Sequence, residues 1–96
     1  MTRAVNLTEG RWRVTLTVQG NTDTSFGAAL DSNVILSALD SNDNLEYLVN
    51  DIASSGSWAS SLTVGSGFGA LAPGSVWFEV EGVVRSATWR LTVEPL

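Results

Sequence analysis

The sequence predicts an all-β chain, an antiparallel β-sandwich or jelly roll of about eight short strands, forming one domain over residues 1–96. Two segments and one spacing carry that expectation. In Arg11-Trp12-Arg13-Val14-Thr15-Leu16-Thr17-Val18-Gln19 every even position is apolar and every odd one polar, the period of a strand with one buried face. The same phrase returns near the other end as Trp89-Arg90-Leu91-Thr92-Val93-Glu94. Between them, clusters of Gly, Asn, Asp, Ser and Pro recur at intervals too short for long helices, as in sandwiches and barrels.

Taken in order, residues 3–7 form a first strand, closed by Thr8-Glu9-Gly10, and residues 11–19 form the second. Gly20-Asn21-Thr22-Asp23 then turns the chain. Strands at residues 26–30 and 33–39 follow, although the apolar spacing of residues 25–39 also suits a helix. Asp40-Ser41-Asn42-Asp43-Asn44 is a turn, because Asp and Asn side chains bond their own backbone. Residues 45–49, 57–64, 75–81 and 89–94 complete the set, punctuated by Asn50-Asp51, Ser54-Ser55-Gly56 and Pro73-Gly74. Trp12, Trp58 and Trp89 are each in phase with their strand's apolar residues and belong to the core. Burying one removes about 150–250 Å² from water, worth roughly 4–6 kcal/mol gross.

Composition narrows function chiefly by exclusion. The chain has no Cys, no His and no Lys. No Ser-His or Cys-His pair, no Schiff-base amine and no imidazole or thiolate zinc ligand can be built. The formal charge is −5, and no run of cations offers a phosphate-binding stripe, so nucleic acid is not an expected partner. No apolar run approaches the roughly 20 residues of a membrane span, and no membrane contact is expected. The first residues lack the apolar stretch of a signal peptide. The expectation is synthesis in the cytoplasm without export, with the virion surface as the place of work if the chain serves a viral particle.

Several short patterns invite chemistry and are better read as structure. Glu79 and Glu81 lie two apart on one strand, so they share a face rather than flank a cleft as glycosidase carboxyls do. Cross-strand pairing with Arg11, Arg13 or Arg90 is the expectation for them. Asp23-Thr24-Ser25 approximates an aspartic-protease triplet but has Ser25 in the place of its glycine. Asp40-x-Asn42-x-Asn44 resembles the start of a calcium loop, yet the sixth position is Leu45 and the twelfth is Asp51. Asn6-Leu7-Thr8 has the form of a glycosylation acceptor and no secretory context. Gly65-Ser66-Gly67-Phe68-Gly69 lacks the spacing and following helix of a phosphate cradle. No cofactor is expected, and the turn-borne Asp residues would make one end of the sandwich acidic if the turns share it.

Three residues are candidates for partner contact. Trp77 is out of phase with Val76, Phe78 and Val80, so it faces away from their side of the strand, beside Glu79 and Glu81. Exposed there, it could anchor an interface or stack on a sugar; covered by another segment, it would be core. Phe68 sits at the tip of the glycine-rich loop, either as a docking arm or tucked over one end of the core. Tyr47 is the third.

Leu71-Ala72-Pro73-Gly74-Ser75-Val76-Trp77-Phe78-Glu79-Val80-Glu81, followed by Trp89-Arg90-Leu91-Thr92-Val93, resembles the closing strands of bacterial pre-peptidase C-terminal domains. Thr8-Glu9-Gly10-Arg11-Trp12-Arg13-Val14 resembles their opening. The resemblance implies a β-sandwich accessory of a secreted enzyme, binding calcium or a polymeric substrate, and carries no site residues over. The two expectations are thus a non-enzymatic interaction module of a larger assembly, such as a bacteriophage capsid decoration protein, homo-oligomeric with a protein partner, and a carbohydrate-binding or calcium-dependent accessory domain.

Overall fold

The computed structural model describes residues 2–25, 27 and 29–96, with side chains from residue 4 onward. Nine strands follow one another: β1 (Thr2–Leu7), β2 (Gly10–Gln19), β3 (Thr22–Asp23), β4 (Leu30–Asp31), β5 (Asn33–Leu39), β6 (Leu45–Ile52), β7 (Gly56–Val64), β8 (Gly74–Glu81) and β9 (Thr88–Pro95). They make a four-stranded sheet A in the order β1-β8-β5-β6 and a three-stranded sheet B in the order β7-β2-β9. β3 and β4 form a small two-stranded ribbon between β2 and β5. All strand pairs are antiparallel. The fold is the all-β sandwich that alternation predicts.

Alternation also decides which side chains meet between the sheets. In sheet B, Val14, Leu16 and Val18 of β2 face inward beside Leu62 and Val64 of β7 and Leu91 and Val93 of β9. Sheet A answers with Val76, Phe78 and Val80 of β8, Val34, Leu36 and Ala38 of β5, Val49 of β6 and Leu7 of β1. Trp12, Trp58 and Trp89 pack at the margins of this core, each half-buried. Their position at the margin lets the indole nitrogens find partners: Trp12 Nε1 donates to Thr8 O (3.0 Å) and Trp58 Nε1 to Asp51 Oδ2 (3.0 Å). Gly56 makes room for the second of these rings, since a Cβ there would lie 2.8 Å from Trp58.

The expected strand at residues 26–30 is seen only at Leu30 among the described residues. Phe26 and Ala28 lie outside the described residues, and pairing resumes only at Leu30. The helical alternative for residues 25–39 gives way to β5, whose Val34, Leu36 and Ala38 all enter the core. β6 departs from simple alternation through a bulge. Leu36 pairs with Val49 but Ser37 pairs with Tyr47, which leaves Leu48 as the extra residue. Its carbonyl accepts from Ser60 Oγ on β7 (2.8 Å), tying the edge of sheet A to the edge of sheet B.

The two ends of the sandwich are each closed around one buried polar side chain. At one end Asn21, fully buried, donates from Nδ2 to Ser32 O (3.2 Å), Asn33 O (3.1 Å) and Ala53 O (3.1 Å). Its Oδ1 accepts from Val84 N (2.8 Å), and its own N–H bonds Ser54 O (2.8 Å). Four connections of the chain, after β2, β4, β6 and β8, thereby converge on a single amide. The amide orientation is fixed by this mix of three carbonyls and one N–H. Gly82 completes the closure: its φ is +78°, and a Cβ would meet Asn33 backbone oxygen at 3.0 Å.

Replacing Asn21 by Ala removes four hydrogen bonds to backbone groups, of which Ser32 O still accepts from Ala53 N–H, and should cost about 3 kcal/mol in chemical denaturation. Asn21→Asp keeps the shape but points a carboxylate at three carbonyls, which raises its pKa in the folded state. A group raised in this way stabilises the fold below its unfolded pKa and loses that contribution as pH rises. The deficit of Asn21→Asp should therefore shrink when melting is followed from pH 7 down to pH 5.

Candidate functional site

The side of sheet A turned away from the core carries the unusual residues. Pairing aligns Ala4, Trp77, Leu39 and Leu45 in one row across all four strands, and Glu79, Ser37 and Tyr47 in the next. A further row pairs Glu81 with Ile35 and Asn50. Four large apolar or aromatic side chains thus meet on an outward face where polar residues are the rule for an antiparallel sheet. Trp77 is 37% exposed and Tyr47 64%, while Ser37 between their strands is nearly buried. Neighbouring strands lie about 4.8 Å apart; across β5, Trp77 stands opposite Leu45 over Leu39, and Glu79 stands opposite Tyr47 over Ser37. An open groove of about 470 Å³ runs there, lined by Leu39, Leu45, Trp77 and Glu79 and reaching Asp43 in the turn.

The phase argument for Trp77 therefore holds, and the covering segment that would have made it core is absent among the described residues. Tyr47 reaches the same face because of the bulge at Leu48. Without it, simple alternation would give Tyr47 and Val49 the same side. Leu39 and Leu45 are functional-surface candidates that sequence reading missed. Each begins or ends an apolar strand and gives no sign of which side it takes.

Phe68 is not part of this face. It stands in the loop after β7, fully exposed at 111%, beside a second shallow groove formed with residues 44–46. The expectation that it tucks over the core is overturned. Leu71, buried and bridged to Val64, closes that end instead. Burial raises the pKa of Glu46, which lines the same groove.

The calcium-like loop turns out to be a turn latched by its own aspartate. Asp40 is buried, and every bond its carboxylate accepts comes from N–H: Asn42 N (2.9 Å) and Asn44 N (2.9 Å) to Oδ1, Ala72 N (2.8 Å) and Asn44 Nδ2 (3.0 Å) to Oδ2. Desolvation would raise its pKa, but these four bonds outweigh it and lower the value from 3.8 to about 2. Lone pairs committed to N–H donors are not free for a cation. Asp23 is likewise spent on its own turn, holding the Ser25 N–H at 2.9 Å. Bonds from the Ser25 side chain and backbone lower its pKa. In Asp51 the Ile52 N–H and the Trp58 indole have the same effect.

The charged residues are arranged otherwise than expected. Glu79 and Glu81 do not pair with Arg11, Arg13 or Arg90, because the two sets lie on opposite outer faces of the sandwich. Arg13 instead meets Glu94 at 3.9 Å, both well exposed, a contact worth little. The three arginines, dispersed in sequence, share the outer face of sheet B, Arg11 and Arg13 toward one end of β2 and Arg90 beside Thr17 toward the other. The Asp residues do not gather at one end: Asp40 and Asp43 follow β5, whereas Asp23, Asp31 and Asp51 lie toward the Asn21 end. Among the described residues no three Asp or Glu side chains converge as a metal site would require. No protein-family model, curated protein or solved structure matches this chain.

Asp40→Asn should lower stability by about 2 kcal/mol at pH 7, since an amide NH2 replaces an acceptor among N–H donors. Because the folded pKa lies below the unfolded one, the native carboxylate stabilises above about pH 4 and loses that effect as pH falls through about 2. Wild-type and Asp40→Asn denaturation curves should converge there, and millimolar calcium should leave the wild-type melting temperature unmoved. Phe68→Ser, at a fully exposed position, should change stability by no more than about 0.5 kcal/mol.

Proposed function

We propose that this chain is a non-enzymatic interaction module that docks through the outer face of sheet A, as a component of a larger assembly such as a bacteriophage virion. The observation that carries the reading is the outward row of Trp77, Leu39 and Leu45, with Tyr47 in the adjoining row. The opposite side of the same sheet already fills the core, so these side chains are not surplus packing. Contiguous apolar surface with a polar rim is the signature of a contact site, and Trp and Tyr are enriched where such contacts carry energy. Glu79, Glu81 and Asp43 supply the rim.

The carboxylates support a non-catalytic role. Asp40 is sequestered by N–H groups, and Glu79 and Glu81 stand side by side on one strand rather than across a cleft. A second reading, a carbohydrate-binding accessory like the pre-peptidase C-terminal domains, is favoured by one feature. The groove beside Trp77, with Ser37, Glu79 and Asp43 in its lining, offers an aromatic wall on which a sugar ring stacks.

Capsids and a glycan array, each probed with dilute protein, separate the two. Trp77→Ala should shift stability by no more than about 1 kcal/mol while reducing capsid retention at least tenfold. Retention on glycans alone would transfer the site to the second reading. A loss of several kcal/mol of stability would make Trp77 a packing residue and remove the basis of both.

A further inference from the structure

We infer that the partner for the sheet A face is the sheet B face of a second copy of this chain, joined front to back into an open stack. The inference rests on the docking reading above and deepens it. Its basis is the segregation of charge between the two outer faces. Sheet A presents Glu79 and Glu81 from β8, with Asp43 at the adjoining turn. Sheet B presents Arg11 and Arg13 from β2 and Arg90 from β9, offset by Glu94 alone in the paired rows. Among the described residues, Arg11 and Arg90 have no carboxylate within 4.0 Å.

The two sets also match in spacing. Glu79 and Glu81 are alternate residues of one strand, as are Arg11 and Arg13, so each pair is separated by about 6.7 Å on a flat, pleated surface. A β8 strand laid along a β2 strand brings both pairs into register. The remaining surfaces suit each other as well. Thr15, Thr17, Thr92 and Ala59 form a low relief of methyls and hydroxyls on sheet B, against which Trp77, Leu39, Leu45 and Tyr47 can pack. A guanidinium can lie over an indole or phenol ring. A two-fold contact between identical sheet A faces would instead set carboxylates against carboxylates.

The geometry fixes the form of the assembly. The complementary faces lie on opposite sides of the sandwich, so each added copy leaves one face open and the contact does not close on itself. Eight residues by four strands give a face of about 26 by 19 Å, about 500 Å². This is less than the roughly 800 Å² per partner of a standard stable interface. Association is therefore weak, concentration-dependent and sensitive to salt.

Sedimentation velocity with variants at these outer-face positions tests it. At low salt the wild-type mass should climb with concentration past two copies of 10.2 kDa without a plateau. Raising ionic strength to about 0.5 M, where screening acts within about 4 Å, should return it to one copy. Glu79→Arg with Glu81→Arg, and separately Arg11→Gln with Arg90→Gln, should each remain single with unchanged melting temperatures. Mixed in equal amounts, they should form pairs and stop there, since only one functional face remains on each. A wild type that stays single at millimolar concentration, a mass that stops at two, or association indifferent to salt would overturn the inference. So would a single-copy wild type retained on heparin through Arg11 and Arg90, which would assign the basic face to a polyanion. If the wild type never self-associates yet Trp77→Ala abolishes capsid retention from dilute solution, the second copy is overturned as partner while the docking face stands.

Discussion

A two-sheet sandwich must bring its chain across both ends without leaving backbone groups stranded in a dry interior. Here that constraint is met by two side chains. Asn21 is both donor and acceptor, and its position requires both: three carbonyls approach one side of the amide and one N–H the other. Asp40 is an acceptor only, and its surroundings are donors only. The residue types are therefore not interchangeable, although each sits in a turn rich in Asn, Asp and Gly. The hydrophobic layer between the sheets is interchangeable in comparison, made of Val, Leu and Phe at positions that alternation alone assigns. The ends add ties between segments far apart in sequence to those made by the β1–β8 and β2–β9 ladders: Asn21 reaches Val84 and Asp40 reaches Ala72.

Most of the strand framework was legible in the sequence because one-sided burial writes a period of two. β2 and β9 show it without interruption, and β8 shows it so cleanly that the out-of-phase Trp77 could be placed on the side of the strand away from Val76, Phe78 and Val80, with its exposure left open. What was not legible is long-range pairing. That Glu79 lies beside Ser37, and Arg90 beside Thr17, depends on which strands share a sheet, and no local pattern reports it. Hence the arginines looked scattered and their carboxylate partners were misassigned. Asn21 was hidden for a related reason. A turn asparagine that bonds its own backbone and one that gathers three distant connections look alike in one dimension. The ribbon at residues 22–23 and 30–31 was missed because two-residue strands have no period to detect.

The division of labour between interior and exterior is unusually clear. Both latches and all three core-facing indoles are confined to the ends and margins, leaving the two broad faces free of structural duty. One is acidic and aromatic, the other basic and hydroxyl-rich. A chain of net charge −5 with only five cations nonetheless concentrates three of them on one face. Charge sorted by face, rather than mixed along each strand, does little for the stability of a single copy, because exposed ion pairs contribute so little. Its effect is on what approaches and in which orientation.

The bulge at Leu48 acts on the pleat as a frameshift acts on a reading frame. Upstream of it, Leu45 and Tyr47 belong to the outer face; downstream, Val49 belongs to the core, though all are odd-numbered residues of one strand. The strand is consequently two segments with independent parity, stitched by a hydroxyl from β7. Excising that one residue would not merely shorten an edge. It would exchange inside for outside along half of β6, offering the core a phenol or the solvent a valine. Point substitutions can therefore remodel the aromatic face freely, whereas single-residue insertions and deletions across residues 45–49 are closed to it.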